Sequence, residues 1–477
     1  MCGVVGIYDV SHKENVAWLL YTCLLALQHR GKESAGIAIH NKKGLEQHGG
    51  MGTVEWVFKE KALQKLEGFC GIAHNRYSTT GGSKPENIQP ILAEFNGEQF
   101  AIAHNGNLIN TEELREECKG YPFHGDTDTE VIAALISQSG CQDFEEAVRK
   151  VLPKLKGAFA LVFLFEEKVI GATDSLKIRP FCLGKRGDCY VLVSETCALD
   201  IIEASFVREV NPGEMIVLDG NGAKSIQWTK EAGLKTERKI CMFEYIYFAN
   251  PDSRLEGVTV GPARERMGAI CAKENPANAQ LVIAVPDSGT PAALGYYHQR
   301  LKDSLTSNPN NKNLPCFSCI GLLRRHSVGR TFIEPIIEKR ATLQRIKFNP
   351  IPEIVSGKDL EVVDDSIVRA SVAPRIIKLL RAAGAGKIHF RVPSPPVRFP
   401  CFFGIDIATF GELIAHTHIR EEIEIIIGAD SLYYISGVEA VARAIGKPLD
   451  QFCHACMSGK YPMEVNLEPP SRQNGLF

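Results

Sequence analysis

Hydrophobic and polar positions follow two different rhythms in this chain, and the change falls near Glu237. Before it, apolar runs are short. Cys2 to Asp9 reads as a strand. Val16, Leu19, Leu20, Cys23, Leu24 and Leu27 recur at helical spacing, and Gly31 closes the pattern. Phe100 to His104 reads as a second strand ending in Asn105-Gly106. Asp126 or Asp128 is placed to cap a helix through Val131, Ile132 and Leu135. Ala158–Phe165, Lys168–Thr173, Tyr190–Ser194 and Glu214–Leu218 then alternate with turn residues, as in antiparallel sheets.

After Glu237 the apolar runs are continuous and alternate with helical stretches. Leu281–Val285 is a strand feeding a turn, Pro286-Asp287-Ser288-Gly289-Thr290, and then a helix. Leu360–Val363 is another strand, followed by Asp364-Asp365-Ser366. A helix from Pro374 to Ala383 stops at Gly384, and Lys387–Val392 is a third strand. Such alternation predicts a parallel sheet with ligands at the strand carboxyl ends. The polar stretch Asp303–Asn313 reads as a surface insertion or mobile loop.

Composition narrows the class. A chain of 477 residues exceeds one ordinary core, so two domains are expected. Hydrophobic residues at 44% and charged residues at 23% are those of a soluble globular protein. A net charge of −2 gives no broad attraction to nucleic acid. No apolar run approaches the ~18–20 residues of a membrane span, and no charged n-region precedes one, so cytoplasmic residence is expected. Thiols are then reduced, and the 15 cysteines need another explanation: metal or catalysis for some, small buried hydrophobes for most, such as Cys23, Cys70 and Cys118.

Candidate chemistry begins at Met1-Cys2-Gly3. With Met1 removed, Cys2 carries both a thiol and a free amine. A thiol of pKa near ~8.5 is little ionised at neutral pH, and an α-amine near ~7.7–8.0 is a suitable base for it. Only Met1 precedes Cys2, so its removal alone is expected to mature the nucleophile. Three polar segments accompany it: Gln28-His29-Arg30-Gly31, Ala73 to Thr79, and Ala103-His104-Asn105-Gly106-Asn107. Asn105-Gly106 can form an oxyanion hole from a side-chain amide and a backbone N–H, or a type I′ hairpin turn. Arg76 could take a carboxylate bidentately or sit in a surface ion pair, and Asp128 could take an ammonium.

In order and wording these segments resemble the class II glutamine amidotransferase domain, a family of N-terminal-nucleophile hydrolases with a four-layer αββα fold. The resemblance implies that Cys2 attacks the glutamine amide and releases ammonia, that Asn105 and Gly106 form the oxyanion hole, and that Arg30, Arg76 and Asp128 are glutamine-site residues.

In the second half, the turn at Asp287, Ser288, Gly289 and Thr290 offers backbone N–H groups and a helix dipole to a pyrophosphate. Asp364-Asp365 suits ribose hydroxyls and a Mg²⁺ bridged to phosphates, though such a pair also commonly caps a helix. Arg324, Arg325 and Arg330 make either a cationic flap or a solvated basic loop. Jointly these resemble the type I phosphoribosyltransferase domain, an α/β parallel-sheet fold. Met242 to Phe248, Val328 to Phe332 and Gly428 to Leu432 extend the likeness. Both halves in this order resemble the glutamine phosphoribosylpyrophosphate amidotransferase family.

That resemblance divides the chain into residues 2–237 and 238–477. It implies internal passage of ammonia to phosphoribosyl pyrophosphate (PRPP), giving 5-phosphoribosylamine in the first committed step of purine synthesis. Ser288, Asp364 and Asp365 would be the Mg²⁺ residues. Ser366, Ala370, Ser371, Val372 and Arg330 would contact PRPP. A homodimer or homotetramer, and purine nucleotides as feedback inhibitors, are implied partners.

Cys316/Cys319 and Cys453/Cys456 are Cys-x-x-Cys pairs, which fit metal or cluster ligation but need further thiolates. The resemblance selects Cys241, Cys401, Cys453 and Cys456 as ligands of a [4Fe–4S] cluster. Zinc at Cys453/Cys456 is the competing reading. Cys316/Cys319 matches nothing in the family.

The family's Gly-Thr-Thr phosphate loop is Ala370-Ser371-Val372 here, and its Lys-Asn-Arg-Tyr flap is Arg324-Arg325-His326-Ser327. A lost hydrogen bond and a non-Gly residue at positive φ together cost ~2.5–5 kcal/mol. The sequence therefore also admits a divergent homologue that hydrolyses glutamine, uses PRPP poorly and serves a regulatory or partner-binding role.

Overall fold

The computed structural model describes residues 1–77, 81–310, 313–325 and 347–467. The strands of its N-terminal half are β1 (Gly3–Asp9), β2 (Ser34–Asn41), β3 (Gly44–Met51), β4 (Cys70–Arg76), β5 (Ile91–Phe95), β6 (Glu98–Leu108), β7 (Gly157–Phe165), β8 (Lys168–Thr173), β9 (Cys182–Arg186), β10 (Cys189–Val193), β11 (Ser205–Glu209), β12 (Met215–Asp219) and β13 (Gly222–Ile226). They form two antiparallel sheets, β11-β9-β10-β1-β4-β2-β3 and β13-β12-β8-β7-β6-β5.

The period of two along each strand assigns its faces. Ala160, Val162 and Leu164 of β7 meet Val4, Tyr8 and Ile72 between the sheets. Phe159, Leu161 and Phe163 face the helices Asp128–Ser137 and Phe144–Val151. Val5 and Ile7 of β1 turn outward onto the helix Ala17–Ala26. Each sheet is thus covered on both sides, giving the four-layer αββα stack. It also explains why β1 and β7 are unbroken apolar runs.

The C-terminal half contains a five-stranded parallel sheet in the order Cys316–Ser318, Leu281–Ala284, Leu360–Val363, Ile388–Val392, Ser431–Tyr434. Ala284 pairs with Val363, so the turns after those two strands emerge side by side. Between the halves lies a shared core. Ile240–Cys241 pairs in parallel with Phe452–Cys453, and Met1, Ala158 and Ile178 pack there with Phe243, Tyr245 and Phe403.

Three expectations change. Asn105-Gly106 does not end a strand: β6 continues to Leu108 because β7 supplies partners throughout, with Asn105 opposite Ala160 and Gly106 opposite Phe159. Thr127, not Asp126 or Asp128, caps the helix Asp128–Ser137, its side chain accepting from the Glu130 N–H. The helix Thr290–Ser307 absorbs the start of the 303–313 stretch. Among the described residues, no helix is long and apolar enough to cross a membrane.

The helices Val260–Glu274 and Thr290–Ser307 cross with backbones in near contact. A Cβ added at Gly295 would stand 1.9 Å from the Glu265 carbonyl oxygen. Gly295→Ala must push the helices apart, and overpacking of this kind costs about 1–3 kcal/mol. Urea unfolding is expected to show a loss of that order.

Candidate active sites

Cys2 lies at the start of β1, the central strand of its sheet. Its N–H donates to Asn105 Oδ1 at 3.0 Å, and its Sγ faces Tyr77, 3.5 Å from both the backbone N and O. Asn105 Nδ2 is buried and has no hydrogen-bond partner among the described residues. A buried amide with one end held by the nucleophile's backbone and the other unspent is a donor waiting for an acceptor. Gly106 admits no side chain: a Cβ would stand 1.9 Å from the Ala158 oxygen. Continuous pairing of both residues with β7 excludes the hairpin-turn reading of Asn105-Gly106.

Burial first, with help from Arg30 and Arg179, pushes the Met1 ammonium down to about 5.

Arg76 is buried and paired with Glu33, and its Nη1 also donates to the Gly82 carbonyl at 3.1 Å. It is not a surface ion pair. Asp128 accepts from the Leu108 N–H at 3.0 Å and stands 3.5 Å from His104 Nδ1. Burial raises Asp128, but His104 and the Leu108 N–H outweigh it and hold the carboxyl below its usual range. Burial lowers His104, and Asp128 outweighs that in turn, so the imidazole is raised.

Arg30 does not open onto solvent beside Cys2. Its guanidinium is fully buried: Nε donates to the Cys2 carbonyl at 2.8 Å, Nη1 pairs with Glu195, and Nη2 with Glu244 Oε1 at 2.9 Å. These protein acceptors occupy its donors, leaving it to hold the backbone of the nucleophile.

At the second site, Asp364 and Asp365 are buried at the end of the strand Leu360–Val363. The Asp365 carboxyl is hydrogen-bonded to the Ser288 and Ser366 side chains, the latter at 2.7 Å. Burial, then the charge of its neighbour, pushes Asp364 well above the ordinary carboxylate range. Gly289 makes the convergence possible, since a Cβ there would stand 2.9 Å from the Val363 oxygen. Arg324 pairs with Asp287 at 3.0 Å, whereas Arg330 lies outside the described residues. Ala370 adopts φ +49°, the left-handed conformation that Gly takes without strain.

Cys241, Cys453 and Cys456 are buried in one core with Cys401 packed against it. Burial, then thiolate repulsion from Cys401, Cys241 and Cys453, pushes Cys456 far up. Among the described residues, no group of three or more His, Cys, Asp or Glu gathers closely enough to hold a single ion. Cys316 and Cys319 are exposed.

Sequence reasoning missed Glu195, Glu244, Arg179, His104 and Tyr247. The signal for Glu244 was a carboxylate within the apolar run Met242–Phe248. Desolvation, then Asp365 and Tyr77, raises the Tyr247 hydroxyl to about 12, although part of its ring is exposed. Tyr247 packs against Phe248, whose ring meets that of Tyr77, the residue beside the Cys2 Sγ.

A family model described as a glutamine amidotransferase domain matches residues 74–200. The amidophosphoribosyltransferase of Archaeoglobus fulgidus is 43% identical, covering 98% of both chains. Its counterpart in Bacillus subtilis is 41% identical over 97% of this chain and 94% of that protein. The chain belongs to the amidophosphoribosyltransferase family. A solved structure of glutamine PRPP amidotransferase from B. subtilis, complexed with ADP and GMP, superimposes with a TM-score of 0.87 at 39% identity, covering 98% of this chain and 99% of that one.

Two expectations follow from this geometry. A non-Gly residue in the left-handed region costs roughly 1–2 kcal/mol, offset in part by its less flexible unfolded chain. Ala370→Gly is therefore expected to raise the unfolding free energy by about 0.5–1 kcal/mol. The raised His104 stabilises the fold fully below its unfolded pKa of ~6.5 and ceases to as pH rises through its folded value. The lowered Asp128 stabilises above ~3.9 and ceases to as pH falls through its folded value. The stability gap between wild type and His104→Gln should be widest at about pH 4–6.5 and narrow toward pH 9 in urea titrations.

Proposed function

We propose that the chain converts glutamine and PRPP to glutamate, 5-phosphoribosylamine and pyrophosphate, the first committed step of purine synthesis. The observation that carries this is a run of aromatic contacts leading away from the Cys2 Sγ, from Tyr77 through Phe248 to Tyr247, in a chain that also buries the carboxylate pair Asp364 and Asp365 at a strand end. Nothing in the fold or the relatives favours the divergent, regulatory reading.

Residues 2–237 would perform the first half. The Cys2 amine takes the thiol proton as Sγ attacks the amide carbon. Asn105 Nδ2 and the Gly106 N–H receive the oxyanion, while Arg76 and Asp128 hold the carboxylate and ammonium of glutamine. The amine then returns its proton to the leaving nitrogen, which departs as ammonia, and water hydrolyses the thioester. Residues 238–477 would perform the second. Ammonia reaches C1 of PRPP without entering bulk water, forms the C–N bond there, and pyrophosphate leaves. Backbone groups of Asp287 to Thr290 face the pyrophosphate, and Ser366 to Val372 the ribose phosphate, with Arg330 carried by the family's flap.

Ser288, Asp364 and Asp365 fit Mg²⁺. Two buried carboxyls that repel each other are a donor set in need of a cation, and Mg²⁺ would neutralise pyrophosphate charge there. Cys241, Cys401, Cys453 and Cys456 would hold a [4Fe–4S] cluster: the four thiols share one core, and such a cluster takes four thiolates. Such a cluster would be structural here. Cytoplasmic residence, purine nucleotide inhibition and a homodimer or homotetramer belong to the same reading.

Asn105→Ala removes one oxyanion donor, so kcat for glutamine hydrolysis should fall by about 10²–10³ with little change in KM. Phosphoribosylamine formation from added ammonia should persist. Wild-type glutamate release with no PRPP-dependent product would overturn the reading.

A further inference from the structure

We propose that Arg179 and Glu244 are positioning residues that tie the four-cysteine site to the Cys2 nucleophile. The proposal rests on the cysteine assignment above. Arg179 is fully buried, and its Nε and Nη2 have no hydrogen-bond partner among the described residues. The preceding residue, Ile178, accepts the Cys241 N–H at 3.1 Å, which sets Arg179 beside the thiols. A buried guanidinium with unspent donors calls for an anion, and thiolates on an iron cluster supply one.

On its other side, Arg179 Nη1 lies 3.8 Å from Glu244 Oε1. The same oxygen takes Arg30 Nη2 at 2.9 Å, and Oε2 takes Nη1 at 3.1 Å. Arg30 Nε in turn fixes the Cys2 carbonyl at 2.8 Å. Glu244 is thus shared between a cation at the cysteines and a cation at the nucleophile. Without anionic sulfur, Arg179 retains its charge and draws Glu244 away from Arg30, which loosens Cys2.

A second contact runs the same way. Gly404, in the turn after Cys401, lies so close to the oxyanion segment that a Cβ would stand 3.0 Å from the Gly106 carbonyl carbon. Asn107 Nδ2 donates to the Phe402 carbonyl at 3.0 Å. The cysteine-bearing turn therefore touches the oxyanion strand directly, while the charged relay reaches the nucleophile.

The test uses the full chain, purified anaerobically, with Glu244→Gln, Arg179→Met and Arg179→Lys as variants. Iron per chain, far-UV circular dichroism, glutamine-hydrolysis kinetics and the rate of Cys2 alkylation by iodoacetamide are measured before and after chelation with bipyridine. In wild type, iron removal should slow Cys2 alkylation by about tenfold or more at unchanged circular dichroism, since small displacements of a reacting group cost rate steeply. Glu244→Gln and Arg179→Met should start slow and respond little to chelation. Their kcat should fall while KM stays within about twofold, and Arg179→Lys should recover most of the loss.

Wild-type alkylation rates in iron-loaded Glu244→Gln and Arg179→Met would overturn the relay. So would an unchanged rate in folded wild type after iron removal. Wild type that is folded but free of iron would instead overturn the cluster assignment. The variants would then decide the relay alone, slowed alkylation supporting it and equal rates overturning it.

Discussion

The buried ion cluster of Arg30, Glu195 and Glu244 is the constraint on which both halves depend. All three side chains are fully excluded from water. Desolvating three charges is tolerable only when their hydrogen-bonding capacity is filled. It is filled here from three directions. Arg30 spends its donors on two carboxylates and on the Cys2 carbonyl. Glu195 also takes His29 at 2.8 Å, the Asn250 N–H at 2.8 Å and Ser253 Oγ at 2.6 Å. Arg30 and Glu195 come from the N-terminal stack, whereas Glu244, Asn250 and Ser253 follow the crossover into the second half. Removing one member would strand a buried charge, which typically costs ~3–5 kcal/mol. The Cys2 backbone is held by Arg30 from within its own half, and Glu244 of the second half completes the charge balance of that arginine.

Docking of this kind suits a reaction whose intermediate must not escape. Ammonia is nucleophilic only as the neutral base, and water would protonate it. The rings that lead away from Cys2 are neutral ones. Tyr77 meets Phe248 edge-on with centroids 5.9 Å apart, and Phe248 meets Tyr247 at 5.2 Å. The Tyr247 hydroxyl, raised to about 12, keeps its proton at neutral pH and adds no charge.

Much of this was legible in the sequence, because period and punctuation report local structure. The strands of both halves and the turns at Ser288 and Asp364 follow from apolar runs that stop at polar residues. The roles of Asn105, Gly106 and Asp128 did not follow from pattern alone, and Asn-Gly taken alone reads as a turn. What decides against the turn is β7, more than fifty residues away, which pairs with both residues. Arg30 was placed in the right neighbourhood with the wrong task. Its partners Glu195 and Glu244 are 165 and 214 positions distant, beyond any local rule. The gathering of Cys241, Cys401, Cys453 and Cys456 has the same cause: only the family resemblance singled out that set.

The phosphate loop shows how structure weighs on a doubt that sequence raised. Ala370 stands where the family carries glycine, and an alanine free of constraint would relax to a right-handed conformation. It keeps φ at +49° instead. The helix Ala373–Ala382 begins three residues later, so this conformation sets how the chain enters that helix. A penalty of roughly 1–2 kcal/mol is held in the loop, and the residues around it must over-determine that shape for the strain to persist. Ala370 thus holds a backbone conformation that glycine would adopt without strain. In the proposed reading a phosphate would be held there chiefly by N–H groups and the helix terminus, which depend on the backbone path and not on the methyl group of Ala370. The substitution thus weakens the case for a disabled site.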